Sequence, residues 1–451
     1  MKIAFSTLGC KLNFAETSTY ERGFLAAGWE VVPWTEVADV YLVNTCAVTQ
    51  TAEKKSRNLI RRAHKTAPEA RIVVTGCYAQ LRKDELLTLD GVWRVFGADE
   101  KGQLVSAVLE TAVETGTGAE ICGHPRPHKR EGPAAEGCGR GRSEAEAISA
   151  PAPAPASTVV FGAYSSGESR TRSFLKVQDG CNNFCAYCTV PFARGRSRNI
   201  PICEAVKQAQ AIAAEGVKEV VLTGVNTGDF GRSTGETFLD LLKALNEVEG
   251  IERYRISSIE PNLLTEEIVD WIASGTKFQR HFHIPLQSGS DTLLRKVGRR
   301  YDTALFASRI DYIREKLERP GLPRVFFGID VIVGLPGETE QLFQETYTFL
   351  KERIRPAFIH VFPYSRRPGT RAAQMPDQVS EAVKEQRVAA LEALCQELHE
   401  AFVAAHRGMR ETVLWESAQK NGRMGGYTGN YIRVEKPFDP AFVNTLETVV
   451  L

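Results

Sequence analysis

Cys181-Asn182-Asn183-Phe184-Cys185-Ala186-Tyr187-Cys188 sets three thiols at C-x3-C-x2-C spacing. Such a run fits one small iron–sulfur cluster, and a cubane [4Fe–4S] cluster normally takes four cysteine ligands. Three local ligands leave one iron free to hold something else, as the open position of a catalytic zinc does. The bland alternatives are a zinc knuckle and buried core cysteines. Zinc wants a fourth Cys or His close by, and residues 176–202 hold no other Cys or His.

Working outward, an α/β series begins at Ser173. Candidate strands are residues 174–177, 220–223, 254–257, 282–285, 325–333 and 358–362, separated by amphipathic segments. That makes about six βα units, fewer than the eight of a closed TIM barrel. Residues 378–407 read as one helix, with Leu391, Leu394, Leu398 and Phe402 on one face and Gly408 as its stop. Cys395 beside that stripe reads as a core cysteine, and Cys203, after Pro201, as structural.

The first hundred residues repeat the alternation. Strands are expected at 2–6, 40–43 and 72–74, with a basic helix over 52–65. Asn13 and Glu16 look like an N-cap and its capping-box partner, opening a helix that Gly28 ends. Strand–helix–strand order implies a doubly wound parallel sheet. Cys10, Cys46 and Cys77 each follow one of the three strands. The carboxyl ends of parallel strands share one edge, where ligands bind, so these thiols converge despite their separation in sequence. Gly9 and Gly76 let backbone crowd beside a cluster. The alternative is three scattered buried cysteines.

Between these regions, residues 116–169 fill with Gly, Pro, Ala, Ser and charge, and read as a linker or surface excursion. Cys122 and Cys138, with His124 and His128, allow a metal-site reading there. The expected organisation is 1–115, a doubly wound domain; 116–169, the linker; 170–408, a partial barrel; and 409–451, a small β unit with short strands at 412–415, 427–434 and 445–450. Lys+Arg at 56 against Asp+Glu at 55 give a net charge of +1, so bulk charge points to no partner. Ten cysteines in 451 residues are too sparse for a secreted disulfide scaffold. Clustered thiols instead imply metal ligation in a reducing compartment. The apolar part of the N-terminus is shorter than the ~7–15 residues of a signal h-region. With no uncharged apolar run of ~18 residues, no membrane contact is expected and the protein reads as cytoplasmic.

The run from Cys181 to Cys188 resembles that of the radical S-adenosylmethionine (SAM) superfamily, and followed by Val190-Pro191-Phe192-Ala193-Arg194-Gly195-Arg196-Ser197-Arg198 it resembles the core signature of that superfamily's methylthiotransferases. Thr7-Leu8-Gly9-Cys10-Lys11-Leu12-Asn13, Val43-Asn44-Thr45-Cys46 and Val74-Thr75-Gly76-Cys77 resemble the N-terminal domain of radical SAM methylthiotransferases. The final β unit stands where that family carries its TRAM domain. The resemblance implies an open six-unit (β/α) barrel, two [4Fe–4S] clusters and two uses of SAM. One SAM gives its methyl group to a sulfur on the N-terminal cluster. The other is cleaved at the Cys181/Cys185/Cys188 cluster to a 5′-deoxyadenosyl radical, which removes hydrogen from an unactivated carbon that then receives the methylthio group. Such a C–H bond lacks the acidity that side-chain acids and bases exploit, so the cofactors carry the hard step.

Family members modify tRNA adenosines beside the anticodon or an aspartate of a ribosomal protein. Val220-Val221-Leu222-Thr223-Gly224-Val225-Asn226-Thr227-Gly228-Asp229-Phe230-Gly231, Arg255-Ile256-Ser257-Ser258-Ile259-Glu260-Pro261 and Gly426-Tyr427-Thr428-Gly429-Asn430-Tyr431-Ile432-Arg433-Val434 resemble the threonylcarbamoyladenosine branch. The isopentenyladenosine branch is the nearest competitor. The resemblance places SAM near Tyr187, Gly224, Asn226, Gln287 and Gly334. Substrate contacts are expected from Arg194, Arg196 and Arg198, from Tyr427, Tyr431 and Arg433 in the β unit, and from the helix bearing Lys54, Lys55, Arg57, Arg61, Arg62 and Lys65. Partners would be a tRNA anticodon loop, a flavodoxin-like or similar electron donor and a sulfur source. Rival classes are a non-enzymatic iron–sulfur electron carrier and an RNA-binding module with structural zinc.

Overall fold

The computed structural model describes residues 1–116, 161–165 and 171–451. Cys122, Cys138, His124 and His128 lie outside the described residues. Strands β1 (Lys2–Thr7), β2 (Glu30–Val32), β3 (Val40–Thr45), β4 (Arg71–Gly76) and β5 (Val92–Phe96) form a parallel sheet ordered β2-β1-β3-β4-β5. Central β3 is buried along its whole length, as expected of a strand covered on both faces. Helix α1 (Lys11–Ala26) follows β1, and α2 (Gln50–Thr66) follows β3. The Thr49 hydroxyl caps α2 by accepting the Ala52 N–H at 3.1 Å, and Ser56, Ile60 and Ala63 face inward at helical spacing. The sequence reading missed the two edge strands: β2 has three residues and β5 carries Trp93-Arg94 at its centre, so neither shows a buried apolar run.

The capping-box expectation is overturned. Helix α1 starts at Lys11, with Cys10 as its N-cap, so Asn13 and Glu16 lie within it and both are buried. Asn13 Nδ2 donates instead to the carbonyls of Leu8 (2.7 Å) and Thr45 (3.0 Å), and Glu16 faces Lys101 and Lys176.

The central region opens with β6 (Ala163–Tyr164), which pairs antiparallel with β7 (Arg172–Lys176), so the stretch expected to be linker supplies an edge strand. A two-stranded ribbon, β8 (Gln178–Asp179) with β9 (Arg198–Asn199), pinches the base of the Cys181 loop. Then come β10 (Glu219–Thr223), β11 (Arg253–Ile256), β12 (His281–Gln287), β13 (Phe326–Val333) and β14 (Phe358–Pro363). Strands β7-β10-β11 and β12-β13-β14 are parallel, and bridges Tyr254↔Phe278 and Ser258↔His283 join the two sheets into the expected open six-unit barrel. Helix Glu381–Ala404 packs on it through Leu391, Leu394 and Leu398. Cys395 is buried there, as expected of a core cysteine.

The chain ends in an antiparallel sheet ordered β17-β16-β15-β18, made by β15 (Arg410–Lys420), β16 (Arg423–Thr428), β17 (Arg433–Pro437) and β18 (Leu446–Val450). The single strand expected over 427–434 is a hairpin instead: the chain turns through Gly429-Asn430, with Tyr431 at φ 65°. Among the described residues, no helix is long and apolar enough to cross a membrane.

Candidate active site between two cysteine triads

Strands β1, β3 and β4 are neighbours, and the registers Thr7↔Asn44 and Thr45↔Gly76 align their carboxyl ends. Cys10, Cys46 and Cys77 are therefore brought to one edge. The loops are stitched together by Asn13, by Asn44 Nδ2 donating to the Asn13 carbonyl (3.0 Å), and by Thr45 Oγ1 donating to the Thr75 carbonyl (2.6 Å). Gly76 has φ 100°, and a Cβ there would sit 2.2 Å from the Thr45 carbonyl oxygen, so no other residue fits. Burial, then the adjacent Cys77 and Cys10 thiols, push the Cys46 thiol up to about 12. Thiols crowded in this way are relieved when a metal takes them as thiolates.

The second triad rises from the loop between β8 and β9. The Cys181 N–H donates to the Gly195 carbonyl (3.1 Å) and the Cys188 N–H to the Cys185 carbonyl (3.0 Å), folding the three thiols inward. Burial pushes Cys181 up to about 11, and burial with neighbouring Cys185 pushes Cys188 up to about 12. Arg299 donates to Cys185 Sγ (3.3 Å), Tyr187 Oη (3.4 Å) and Glu260 Oε1 (2.7 Å), and Asn183 Nδ2 also donates to Glu260 Oε1 (2.8 Å). The sequence reading gave neither Arg299 nor Glu260 a role. Glu260 lay within a quoted motif, but nothing local links it to Arg299, 39 residues on.

A cavity of about 320 Å³ opens beside Cys181, Cys185 and Cys188 and is also lined by Val48 and Thr49, just past Cys46. It therefore borders the second triad on one side and the loop after Cys46 on the other. Tyr187, Asn226 and Gln287, three of the residues the resemblance sets near SAM, line it. Asn226 Nδ2 is buried there with no hydrogen-bond partner among the described residues, and Gln287 holds a left-handed φ of 69°. An orphaned donor and a strained backbone at one cavity fit a polar ligand such as SAM.

Gly224 and Gly334 are absent from the lining. Gly224 gives room to Gln178, whose Oε1 accepts the Val225 and Asn226 N–H groups, and a Cβ on Gly334 would meet Lys384 Cγ at 2.3 Å. Both serve turns and close packing.

Arg194 was expected to contact substrate. It is buried, with Nη1 2.9 Å from Asp179 and 3.2 Å from Glu16. Arg198 is buried too, while Arg196 is exposed. Tyr431 is no free stacking ring: its hydroxyl accepts from Arg172 (2.7 Å), Arg255 lies 4.1 Å over its face, and His281 packs at 4.6 Å. Arg172 also covers Tyr427, 4.9 Å from the ring centre, while Arg433 remains exposed. On α2, Lys54, Lys55, Arg61, Arg62 and Lys65 are exposed, whereas Arg57 pairs with Glu85 at 3.3 Å.

A further polar group sits on the barrel wall. His283 Nε2 is 2.6 Å from Asp330 Oδ1, the His283 and His360 rings stack at 4.9 Å, and Asp330 lines the cavity. Burial and His283 push His360 down to about 4.

Residues 2–97 match the family model described as uncharacterized protein family UPF0004, and residues 175–350 match that of the radical SAM superfamily. The threonylcarbamoyladenosine tRNA methylthiotransferase MtaB of Bacillus subtilis (strain 168) is 39% identical, over 96% of this chain and 89% of its own. The enzyme of that name from Aquifex aeolicus (strain VF5) is 36% identical, over 97% of each chain. A tRNA-2-methylthio-N(6)-dimethylallyladenosine synthase of Alkaliphilus oremlandii is 30% identical, over 86% of this chain and 77% of its own. The fold is similar to that of the radical SAM methyltransferase TsrM from Kitasatospora setae, solved with cobalamin and a [4Fe–4S] cluster, at TM-score 0.54 and 16% identity over 82% of this chain and 73% of that one. With a thiol triad on the cavity, a second at the neighbouring sheet edge and relatives this similar along most of their length, the chain belongs to the methylthiotransferase family of radical SAM enzymes.

Proposed function

We propose that the protein transfers a methylthio group to C2 of N6-threonylcarbamoyladenosine, next to the anticodon of tRNA. The observation that carries this reading is the cavity lined by Cys181, Cys185 and Cys188 and by Val48 and Thr49 just past Cys46, in a chain 39% identical to an MtaB of that printed activity. Cys181, Cys185 and Cys188 would hold one [4Fe–4S] cluster, and Cys10, Cys46 and Cys77 the other. When bound, the clusters and SAM supply the radical and sulfur chemistry that no side chain here offers.

The chain's own residues bind and orient. Asn226, Gln287 and Tyr187 would contact SAM along the cavity wall. Arg299, fixed by Glu260, donates to Cys185 Sγ and would steady that thiolate as a cluster ligand. A base in an anticodon loop is already partly unstacked, so its entry between the triads costs little. The exposed cations of α2 and Arg196 would meet phosphates, and the C-terminal sheet, read as TRAM-like, would offer RNA its outer face with Arg433. A flavodoxin-like reductant, a sulfur source and a cytoplasmic setting complete the reading. Reconstituted protein given SAM, a reductant and threonylcarbamoyl-modified tRNA should yield the methylthio nucleoside. Conversion of isopentenyl-modified tRNA alone would favour the neighbouring branch.

A further inference from the structure

Phe358, His360 and Phe362 alternate along β14, so their three rings share one face of the strand. Strand β14 is the last in its sheet, and two of the rings are open to solvent: Phe358 is 37% and Phe362 46% exposed. A lone exposed apolar residue is ordinary, but a row of aromatic rings at a sheet edge marks a contact surface.

The row borders two spaces. All three rings line a groove of about 420 Å³, faced by Cys395, Gln396 and His399 of the helix Glu381–Ala404. Phe362 also lines the cavity at the Cys181, Cys185 and Cys188 triad, so one ring belongs to both. Four residues of strand, about 13 Å, separate Phe358 from Phe362.

The groove has the chemistry of a base binder. The Phe358 and His360 rings lie 4.7 Å apart, and burial with neighbouring His283 pushes His360 down to about 4, so its ring is neutral near pH 7. His399 Nδ1 donates to the Ala357 carbonyl (3.0 Å), which leaves Nε2 as an acceptor. Among the described residues that line the groove there is no Lys or Arg, and Glu392 repels a phosphate. Neutral rings beside a few polar groups suit an unpaired nucleobase, whose face stacks and whose edge hydrogen-bonds. A peptide strand is the other guest that a sheet edge attracts. Here the helix already covers that edge, and the Ile359 N–H donates to Cys395 Sγ (3.2 Å).

We propose that the groove along β14 holds a nucleobase of the anticodon loop adjacent to the reacting adenosine, stacked on Phe358 and His360. The inference rests on the tRNA reading above. It makes Phe358 a positioning residue, which anchors the loop while the neighbouring base enters the cavity past Phe362.

The test uses cluster-loaded protein and threonylcarbamoyl-modified anticodon stem–loops, intact or abasic at the nucleotide before or after the modified adenosine. Binding is followed by fluorescence anisotropy without turnover. Wild-type protein should bind one of the two abasic loops about 5- to 150-fold more weakly than the intact loop, the range of base–aromatic stacking. Phe358→Ala should lose a similar factor on the intact loop and bind that abasic loop as wild type does, the coupling that marks a direct contact. Phe358→Trp should keep the intact-loop affinity, and both variants should keep wild-type iron content and uncoupled SAM cleavage.

Equal affinity of wild type for the intact and both abasic loops would overturn the proposal. So would Phe358→Ala weakening intact and abasic loops alike, which marks a sugar or phosphate contact, or leaving every loop unchanged, which turns the groove over to a protein partner. If Phe358→Ala fails to fold, Phe358→Leu, which keeps apolar volume without a ring, takes its place under the same criteria. Wild-type protein that methylthiolates only an isopentenyl-modified loop would sink the substrate reading and leave the groove standing. Failure to bind any stem–loop would sink the tRNA reading and the groove with it.

Discussion

Arg194 Nη1 lies 3.2 Å from Glu16 Oε1, so one buried guanidinium ties the helix after Cys10 to the segment after Cys188. Asp179 (2.9 Å from Arg194), Lys176 (2.7 Å from both Glu16 and Asp179) and Lys101 (2.8 Å from Glu16) complete the network. Arg194 Nη2 also donates to Asn13 Oδ1 (2.5 Å), the residue that stitches the Cys10 and Cys46 loops. The two triads are thereby held in one frame.

Arg194→Ala should therefore act on the fold. Removing one partner of a buried pair typically costs about 3–5 kcal/mol, seen as a lower Tm and as iron lost from the N-terminal triad. Exposed Arg196→Ala should stay within about 0.5 kcal/mol of wild type and act only on tRNA binding. A normal Tm in Arg194→Ala would restore the expectation of a substrate contact.

The same network has a pH signature. Burial raises the Glu16 and Asp179 carboxyls, but Lys101, Lys176 and Arg194 outweigh it and hold both well below the usual carboxylate range. Depressed carboxylates contribute stability that is present above the unfolded values near about 4 and is lost as pH falls through the native ones. The Tm gap between wild type and Arg194→Ala should thus be flat from about pH 8 to 5.5 and close only below about pH 4. A gap that closed near neutrality would assign the linkage to other groups.

The clusters should be separable. Changing Cys181, Cys185 and Cys188 together to Ala should leave about four of about eight irons per chain and abolish SAM cleavage. Changing Cys10, Cys46 and Cys77 should leave a similar iron content with uncoupled SAM cleavage. Wild-type protein that took up iron for one cluster only would contradict the two-site arrangement.

What could be read before the structure was local or periodic. The thiols at 181, 185 and 188 are neighbours in sequence, and those at 10, 46 and 77 share one offset after parallel strands. The charge network was not readable: Glu16, Lys101, Lys176, Asp179 and Arg194 meet only after two sheets have docked. Glu16 passed for a helix cap because its spacing from Asn13 fits one. Tyr427, Tyr431 and Arg433 alternate as on a strand, and only the turn at Gly429-Asn430 separates them.

The C-terminal sheet is docked as part of the barrel floor. Arg255 Nη1 and Nη2 donate to the carbonyls of Gly429 (2.7 Å) and Thr428 (2.9 Å), Arg253 Nη1 to that of Tyr427 (3.1 Å), and Asn430 Nδ2 lies 3.0 Å from His406 Nε2. Ending the chain after Gly408 strips acceptors from two buried guanidiniums. It should cost several times the ~1–3 kcal/mol of one lost buried partner and lower barrel Tm along with tRNA affinity. A truncated protein with wild-type Tm and iron content would show a detachable module.

The proposed methylthio transfer draws on both cysteine triads. Its most direct test is mass spectrometry of tRNA nucleosides from cells lacking the gene, complemented with wild type or with the Cys10, Cys46 and Cys77 triple Ala variant. The account predicts that 2-methylthio-N6-threonylcarbamoyladenosine disappears, that its unthiolated precursor accumulates, and that only wild type restores it. An unchanged methylthio-threonylcarbamoyl peak, with loss of the isopentenyl counterpart or of no nucleoside at all, would contradict it.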